Sequence, residues 1–416
     1  MKTKQEFLEI ADRLGRELCR DALWDSQGRC TWLGWEMEAQ AYKTWHVYRS
    51  MPACLYDGNA GIALFLIELY QFTGDLQVLR IIDGAINQIR SVLPKIAPAQ
   101  KHALYTGYVG IIHTFLRAAE VLQRDDLREE ALALVIALSK EAISRQHLDV
   151  VNGSAGAIPR LLSIARRNGS QAARDLAYQH GQNLLDSLVE NERGYSWPTV
   201  TMPVQANLVG YSHGTAGLMV ALLDLYRDSG EVRFHDAALQ ALRYENSYLD
   251  TEVGNWRDLR IMSSTQMTSD NFYLGWCHGA PGIGLSRLFA RQVLPENPVV
   301  QSDLELCLQT SCKSLSSIWI PGQGNYSLCH GASGNAELLI AAGQYLSRPD
   351  LIAVAEHVGE QGIRCYSRQG LPWPCGNGGS GTTPNLMLGL AGIGHFYLRL
   401  YNSQKVPSVL LIVEDF

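Results

Sequence analysis

Two Cys-His dipeptides each stand directly before a glycine turn, in Trp276-Cys277-His278-Gly279-Ala280-Pro281-Gly282 and in Leu328-Cys329-His330-Gly331-Ala332-Ser333-Gly334. Thiolate sulfur and imidazole nitrogen make a borderline-soft donor set, which zinc suits best. One such pair alone is more often core packing, because cysteine is among the most buried residues. Two in matching surroundings point to a metal. Spacing leaves open whether His278, His330 or both ligate. There is no C-x-x-C knuckle, and a chain of 416 residues can bury a core without a metal. Three protein ligands with an open fourth position, the arrangement of a catalytic site, are therefore expected.

A third turn reads Tyr211-Ser212-His213-Gly214, with histidine in the same place and serine instead of cysteine. General acid or base is the natural role of such a histidine; the plainer alternative is a histidine bonded to a neighbouring turn. Ahead of a fourth turn stands His147-Leu148-Asp149-Val150-Val151-Asn152-Gly153. Asp149 lies in an apolar approach, so it is either buried with a hydrogen-bond partner or functional. A carboxylate orienting His213 satisfies both readings. His278, Tyr273 and Trp276, which flank Cys277, are further candidates as substrate-contacting or supporting residues.

All four turns belong to a G-x-x-G pattern that occurs seven times, at Gly58/Gly61, Gly107/Gly110, Gly153/Gly156, Gly214/Gly217, Gly279/Gly282, Gly331/Gly334 and Gly389/Gly392. The first glycines are 49, 46, 61, 65, 52 and 58 residues apart, the length of a helix pair with loops. The run Ile62 to Tyr70 is apolar nearly all round, as a helix buried on every side must be, and Leu218 to Tyr226 repeats it. Gly74 and Gly230 follow as left-handed caps. Amphipathic stretches such as Asp126 to Ile143, Ala173 to Val189 and Glu231 to Asp250 form an outer layer. Little of the chain alternates with the period of a strand. The expected fold is all-α, an α/α toroid of seven inner and seven outer helices. It is expected as one domain over residues 1–416, with a helix and loop in 1–54 packed on seven repeats in 55–400. No Lys-Ser/Thr follows the glycines, so they are turns and not phosphate loops. They deliver their neighbours to one rim, walled by the loops Tyr195 to Gly210, Thr251 to Gly275 and Ser367 to Asn385.

The net charge of −6 without a basic stripe argues against nucleic acid. The first ten residues lack a signal-peptide core, and no run is apolar enough for a membrane span. Nine scattered cysteines suit a reducing compartment, so a cytoplasmic protein is expected.

In these residues the chain resembles the lanthionine synthetase C-like cyclases, and most of all the cyclase half of class II lanthipeptide synthetases. Besides the Cys-His blocks, the resemblance rests on Thr31-Trp32-Leu33-Gly34, Leu55-Tyr56-Asp57-Gly58-Asn59-Ala60-Gly61-Ile62-Ala63, Ser212-His213-Gly214-Thr215-Ala216-Gly217 and Leu386-Met387-Leu388-Gly389-Leu390-Ala391-Gly392-Ile393-Gly394. It implies zinc (Zn2+) on Cys277, Cys329 and His330, and an acid/base pair at His213 and Asp149. The activity it implies is the addition of peptide cysteine thiols to dehydroalanine or dehydrobutyrine, closing thioether rings. The implied partner is a dehydrated precursor peptide with its leader, supplied by a separate dehydratase or by one from which this piece was excised. The stand-alone branch carries arginine four residues before the first zinc cysteine and tyrosine directly after it; here those places hold Tyr273 and His278. The alternatives are a prenyltransferase-like zinc subunit that alkylates thiols, and a zinc- or thiol-binding relative without catalysis.

Overall fold

A computed structural model describes residues 2–40, 43–261, 271–317, 320–378 and 381–413. The chain opens with α1 (Lys2–Asp21) and continues through six helix pairs. These are α2 and α3 (Asn59–Thr73, Leu76–Val92), α4 and α5 (Tyr108–Leu122, Asp125–Leu138), and α6 and α7 (Ser154–Asn168, Gln171–Asp186). Next come α8 and α9 (Thr215–Ser229, Val232–Asn246), α10 and α11 (Ala280–Val293, Pro298–Leu315), and α12 and α13 (Ala332–Tyr345, Pro349–Gly362). The last helix is α14 (Leu390–Asn402).

The even-numbered helices form the inner ring: each packs on the next, and α14 returns to α2. Each is followed in sequence by its outer partner, except α14, whose partner is α1. The chain thus closes its double ring by bringing its first helix against its last. This is the α/α toroid that the repeat implies, and the N-terminal helix is the seventh outer member. Burial matches the layering: α2 is buried from Asn59 to Leu69, whereas α3 buries one stripe containing Val78, Ile82, Ala85 and Ile89.

Outer helices end earlier than their polar stripe suggests; α9 stops at Asn246, and the chain then turns into a small hairpin, Leu249–Asp250 with Asn255–Trp256. A longer hairpin pairs Leu33–Gln40 with Lys43–Ser50. It was not expected, although Trp35-Glu36-Met37-Glu38 does alternate as a strand should.

Buried ion pairs staple neighbouring inner helices. Glu68 of α2 meets Arg117 of α4 at 2.6 Å, and Glu337 of α12 meets Arg399 of α14 at 2.6 Å. Such pairs fix register more than they add stability, but breaking one leaves a charge without compensation.

The G-x-x-G glycines have a common steric cause. A side chain on the second glycine of each copy would place its Cβ 1.8 to 2.2 Å from the carbonyl oxygen six residues earlier. Those carbonyls belong to Leu55, Leu104, Val150, Tyr211, Trp276, Leu328 and Leu386, so glycine lets the incoming segment lie directly on its own helix.

Candidate metal and acid/base site

The residue after each of these carbonyls stands two places before the first glycine: Tyr56, Tyr105, Val151, Ser212, Cys277, Cys329 and Met387. Backbone hydrogen bonds join the seven approach segments into a closed collar. The amide of Met387 donates to Tyr56 (2.9 Å), that of Cys329 to Met387 (2.9 Å), that of Cys277 to Cys329 (3.2 Å), and that of Ser212 to Cys277 (3.2 Å). Val150 then donates to Ser212 (3.0 Å), Tyr105 to Val151 (3.2 Å), and Tyr56 to Tyr105 (2.8 Å). Every inner helix starts just beyond this collar, so seven positive helix ends face the same side. The electrostatics favour anions there.

Cys277 and Cys329 are adjacent members of the collar. Their sulfurs and a ring nitrogen of His330 lie within 4.8 Å of one another. Donors 2.0 to 2.3 Å from a tetrahedral zinc stand roughly 3.3 to 3.8 Å apart, so the set fits the ion with small side-chain adjustments. His330 also places Nε2 3.1 Å from the Gly376 carbonyl oxygen. Donating there leaves Nδ1 as the free lone pair, the usual way in which an outer partner fixes a ligand's tautomer. The hydrogen bond with Cys329, together with burial, raises the Cys277 thiol well above its ordinary value; that bond, and one from the Tyr56 hydroxyl at 3.0 Å, lower Cys329. Two cysteine sulfurs beside an imidazole nitrogen in a buried site suit a borderline-soft cation.

His278 is not in this group. It is buried against Gly210, and burial and the nearby Arg260 charge lower its pKa to about 3, so the ring is neutral. Trp276 is fully buried beneath the collar, its Nε1 on the Leu410 carbonyl oxygen at 3.1 Å and its ring against Tyr105 and Tyr211. It thereby packs beneath the segment that carries Cys277. Tyr273 is half-buried on the approach to the donors.

One collar step away, His213 Nδ1 bonds Asp149 Oδ2. Asp149 is 1% exposed, and its other oxygen accepts the Asn152 amide at 2.6 Å. Burial pulls the His213 pKa down, but the hydrogen bond and charge of Asp149 outweigh it, and the net direction is up from 6.5. With Nδ1 committed, Nε2 is the ring position available to carry a proton outward. The His213 and His278 rings are 6.2 Å apart, and the amide of Ser212, beside His213, is bonded to the Cys277 carbonyl, so the histidine–aspartate pair neighbours Cys277 on the collar.

Of the expected walls, residues 262–270 and 379–380 lie outside the described residues. The sequence reading missed Arg260, Asp258 and the Tyr56 hydroxyl. Tyr56 was findable, because it occupies the collar place in its repeat; Arg260 has no repeat register. A cavity of about 740 Å³ contains none of these donors: it lies at the far ends of α4 and α6, and Arg117, Arg160 and Arg167 are among its lining residues. Donor geometry, not volume, marks the site.

The family model "Lanthionine synthetase C-like protein" matches residues 49–411. The chain belongs to this family. Among characterised relatives, the Lactococcus lactis subsp. lactis lacticin 481/lactococcin biosynthesis protein LcnDR2 is 21% identical, over 89% of this chain and 38% of its own length. The chain therefore spans well under half of that relative. Glutathione S-transferase LANCL1 of Danio rerio is 25% identical, over 68% of this chain and 67% of its own. Nisin cyclase shares the fold, with a TM-score of 0.60 at 18% identity, covering 87% of this chain and 93% of the other. No helix among the described residues is long and apolar enough to cross a membrane.

Proposed function

We propose that this lanthionine synthetase C-like chain is a zinc-dependent lanthipeptide cyclase, adding peptide cysteine thiols intramolecularly to dehydroalanine or dehydrobutyrine. The observation that carries this reading is the convergence of Cys277, Cys329 and His330 beside the His213–Asp149 pair on one collar. A zinc ion on these three residues supplies the positive charge that favours the thiolate form of an incoming thiol.

The chain's own groups do the rest. The collar and the inner helix ends hold the reacting sulfur in a field that favours anions. Sulfur attack on the β carbon generates an enolate, and its α carbon must gain a proton. His213, whose pKa Asp149 raises, delivers that proton from Nε2. Regenerating the acid takes up the proton that the thiol gave away. The substrate is a precursor peptide that carries its leader and has already been dehydrated, by a separate dehydratase or by one belonging to a longer protein that includes this chain. Nine free cysteines support a cytoplasmic setting, and the closed ring supports one catalytic unit.

The test is incubation of the zinc-loaded chain with a dehydrated precursor. Ring closure removes free thiol without changing mass; alkylation by an isoprenoid would add mass, and a binding-only protein would leave the thiol untouched. Offering glutathione in parallel separates cyclisation from the thiol transfer for which the Danio rerio relative is named. Unchanged free thiol at stoichiometric zinc refutes the proposal.

A further inference from the structure

Sulfur addition pushes an electron pair onto the carbonyl oxygen of the dehydro residue, and that charge must be met before His213 quenches it. The position four residues before Cys277 holds Tyr273, which has no charge to offer. Its ring, however, lies beneath a guanidinium from elsewhere in the same loop: Arg260 Cζ is 5.6 Å from the Tyr273 ring centroid. Tyr273 in turn packs beside Gly275, where an added Cβ would lie 3.0 Å from Tyr273 Cε1 and 3.2 Å from His330 Cα. Guanidinium, phenol ring and ligand histidine thus follow one another along a single wall.

Arg260 is held rigidly. Its segment is bridged to the neighbouring loop, Gln205 N to Leu259 O at 2.9 Å and Ile261 N to Pro203 O at 3.2 Å. Asp258 accepts from Nε at 2.9 and 3.1 Å and from Nη2 at 2.5 Å. The Nη1 hydrogens stand outside that pairing, and the side chain keeps 19% of its surface exposed. Its positive charge is also felt at His213, the proton donor of the proposed reaction.

We propose that Arg260 is a catalytic residue that donates from Nη1 to the enolate oxygen formed during ring closure, an assignment that rests on the cyclase reading above. The carbon–sulfur bond forms at the β carbon while the π pair moves to the carbonyl oxygen. The oxygen sits against Arg260 until the α carbon takes the His213 proton and the carbonyl reforms. Electrons and protons balance without an oxidant or reductant. Asp258 positions the guanidinium.

The experiment compares the full chain with Arg260→Gln and Arg260→Lys on a defined peptide holding one cysteine and one dehydroalanine. It reads kcat, KM, bound zinc and melting temperature. Loss of one preorganised donor to a developing oxyanion lowers kcat roughly 100- to 1000-fold. Arg260→Gln is expected to show that loss with KM, zinc and melting temperature unchanged, and Arg260→Lys to recover part of it. A wild-type kcat in Arg260→Gln overturns the assignment, as does a rise in KM alone. Loss of zinc or of melting temperature in both variants overturns it too, making Arg260 structural. If the wild-type chain closes no ring, the cyclase reading itself falls; if it does and Arg260→Gln matches it, only Arg260 falls.

Discussion

Replacing Gly334 with alanine should disable the candidate metal site from a position that touches none of its three donor residues. The added Cβ would lie 1.8 Å from the Leu328 carbonyl oxygen and 2.6 Å from its carbon, both backbone atoms that no rotamer change can move. Helix α12 and its incoming strand must part by about 1 Å or more, against a tolerance of about 0.2 Å in a metal–ligand distance. Cys329 follows Leu328 directly and also carries the collar bond to Met387, so the displacement passes straight into a ligand. Overpacking of this kind costs roughly 1 to 3 kcal/mol. Displacing a ligand's support costs about 10- to 100-fold in metal affinity. Gly110→Ala is the matched control, with its Cβ 2.0 Å from the Leu104 oxygen in a repeat that carries no donor. Zinc affinity from chelator competition, measured beside thermal unfolding, should show both variants destabilised but only Gly334→Ala weak in zinc. Equal zinc affinity in the two, at equal loss of stability, would refute the idea that this glycine sets the Cys329 position.

Two further outcomes test other parts of the structure. Because Asp149 raises the pKa of His213, the protonated pair adds stability that is complete below about pH 6.5 and is lost as pH rises through the folded value. In Asp149→Asn, burial acts unopposed, so the basic limb of the ring-closure pH–rate profile should move to lower pH, with a loss of roughly 100-fold or more in kcat above it; an unmoved limb would exclude His213 as the acid. Glu337→Ala strands Arg399, which is 4% exposed, between α12 and α14, and urea unfolding should show about 3 to 5 kcal/mol lost; a loss below about 1 kcal/mol would show that the Ser403 and Val406 carbonyls alone satisfy that guanidinium.

How much of this was legible depended on register. The repeat brought Cys277 and Cys329 to one level because they occupy the same place before their glycines, and the collar bonds are the physical form of that equivalence. The same register could not choose between His278 and His330, which also occupy equivalent places. The turns differ in shape: Gly331 is extended at φ −112°, whereas Gly279 takes φ +91°, and the two histidines leave in different directions. One reaches the Gly376 carbonyl and the donors; the other packs into Gly210. Arg260 lies outside the repeat, in a loop pinned by contacts with another loop, and no spacing in the sequence announces it. The hairpin of Leu33–Gln40 and Lys43–Ser50 was written in its alternation but outweighed by the helical texture elsewhere.

The placement of chemistry follows from helix polarity as much as from repeat number. Each inner helix presents about half a positive charge at its start and the opposite at its end. Seven starts converge on the collar, where the proposed reaction would gather its negative charge on the sulfur donors, the incoming thiolate and the enolate oxygen. Arg260, countered by Asp258, is the cation added at that end, beside the point where negative charge develops. At the other end, the helix carbonyls favour cations, and there Arg117, Arg160 and Arg167 line a cavity, with Arg117 stapled to Glu68. That cavity's arginines answer the field of the helix ends. A metal site of thiolates built there would work against the same field that supports it on the collar.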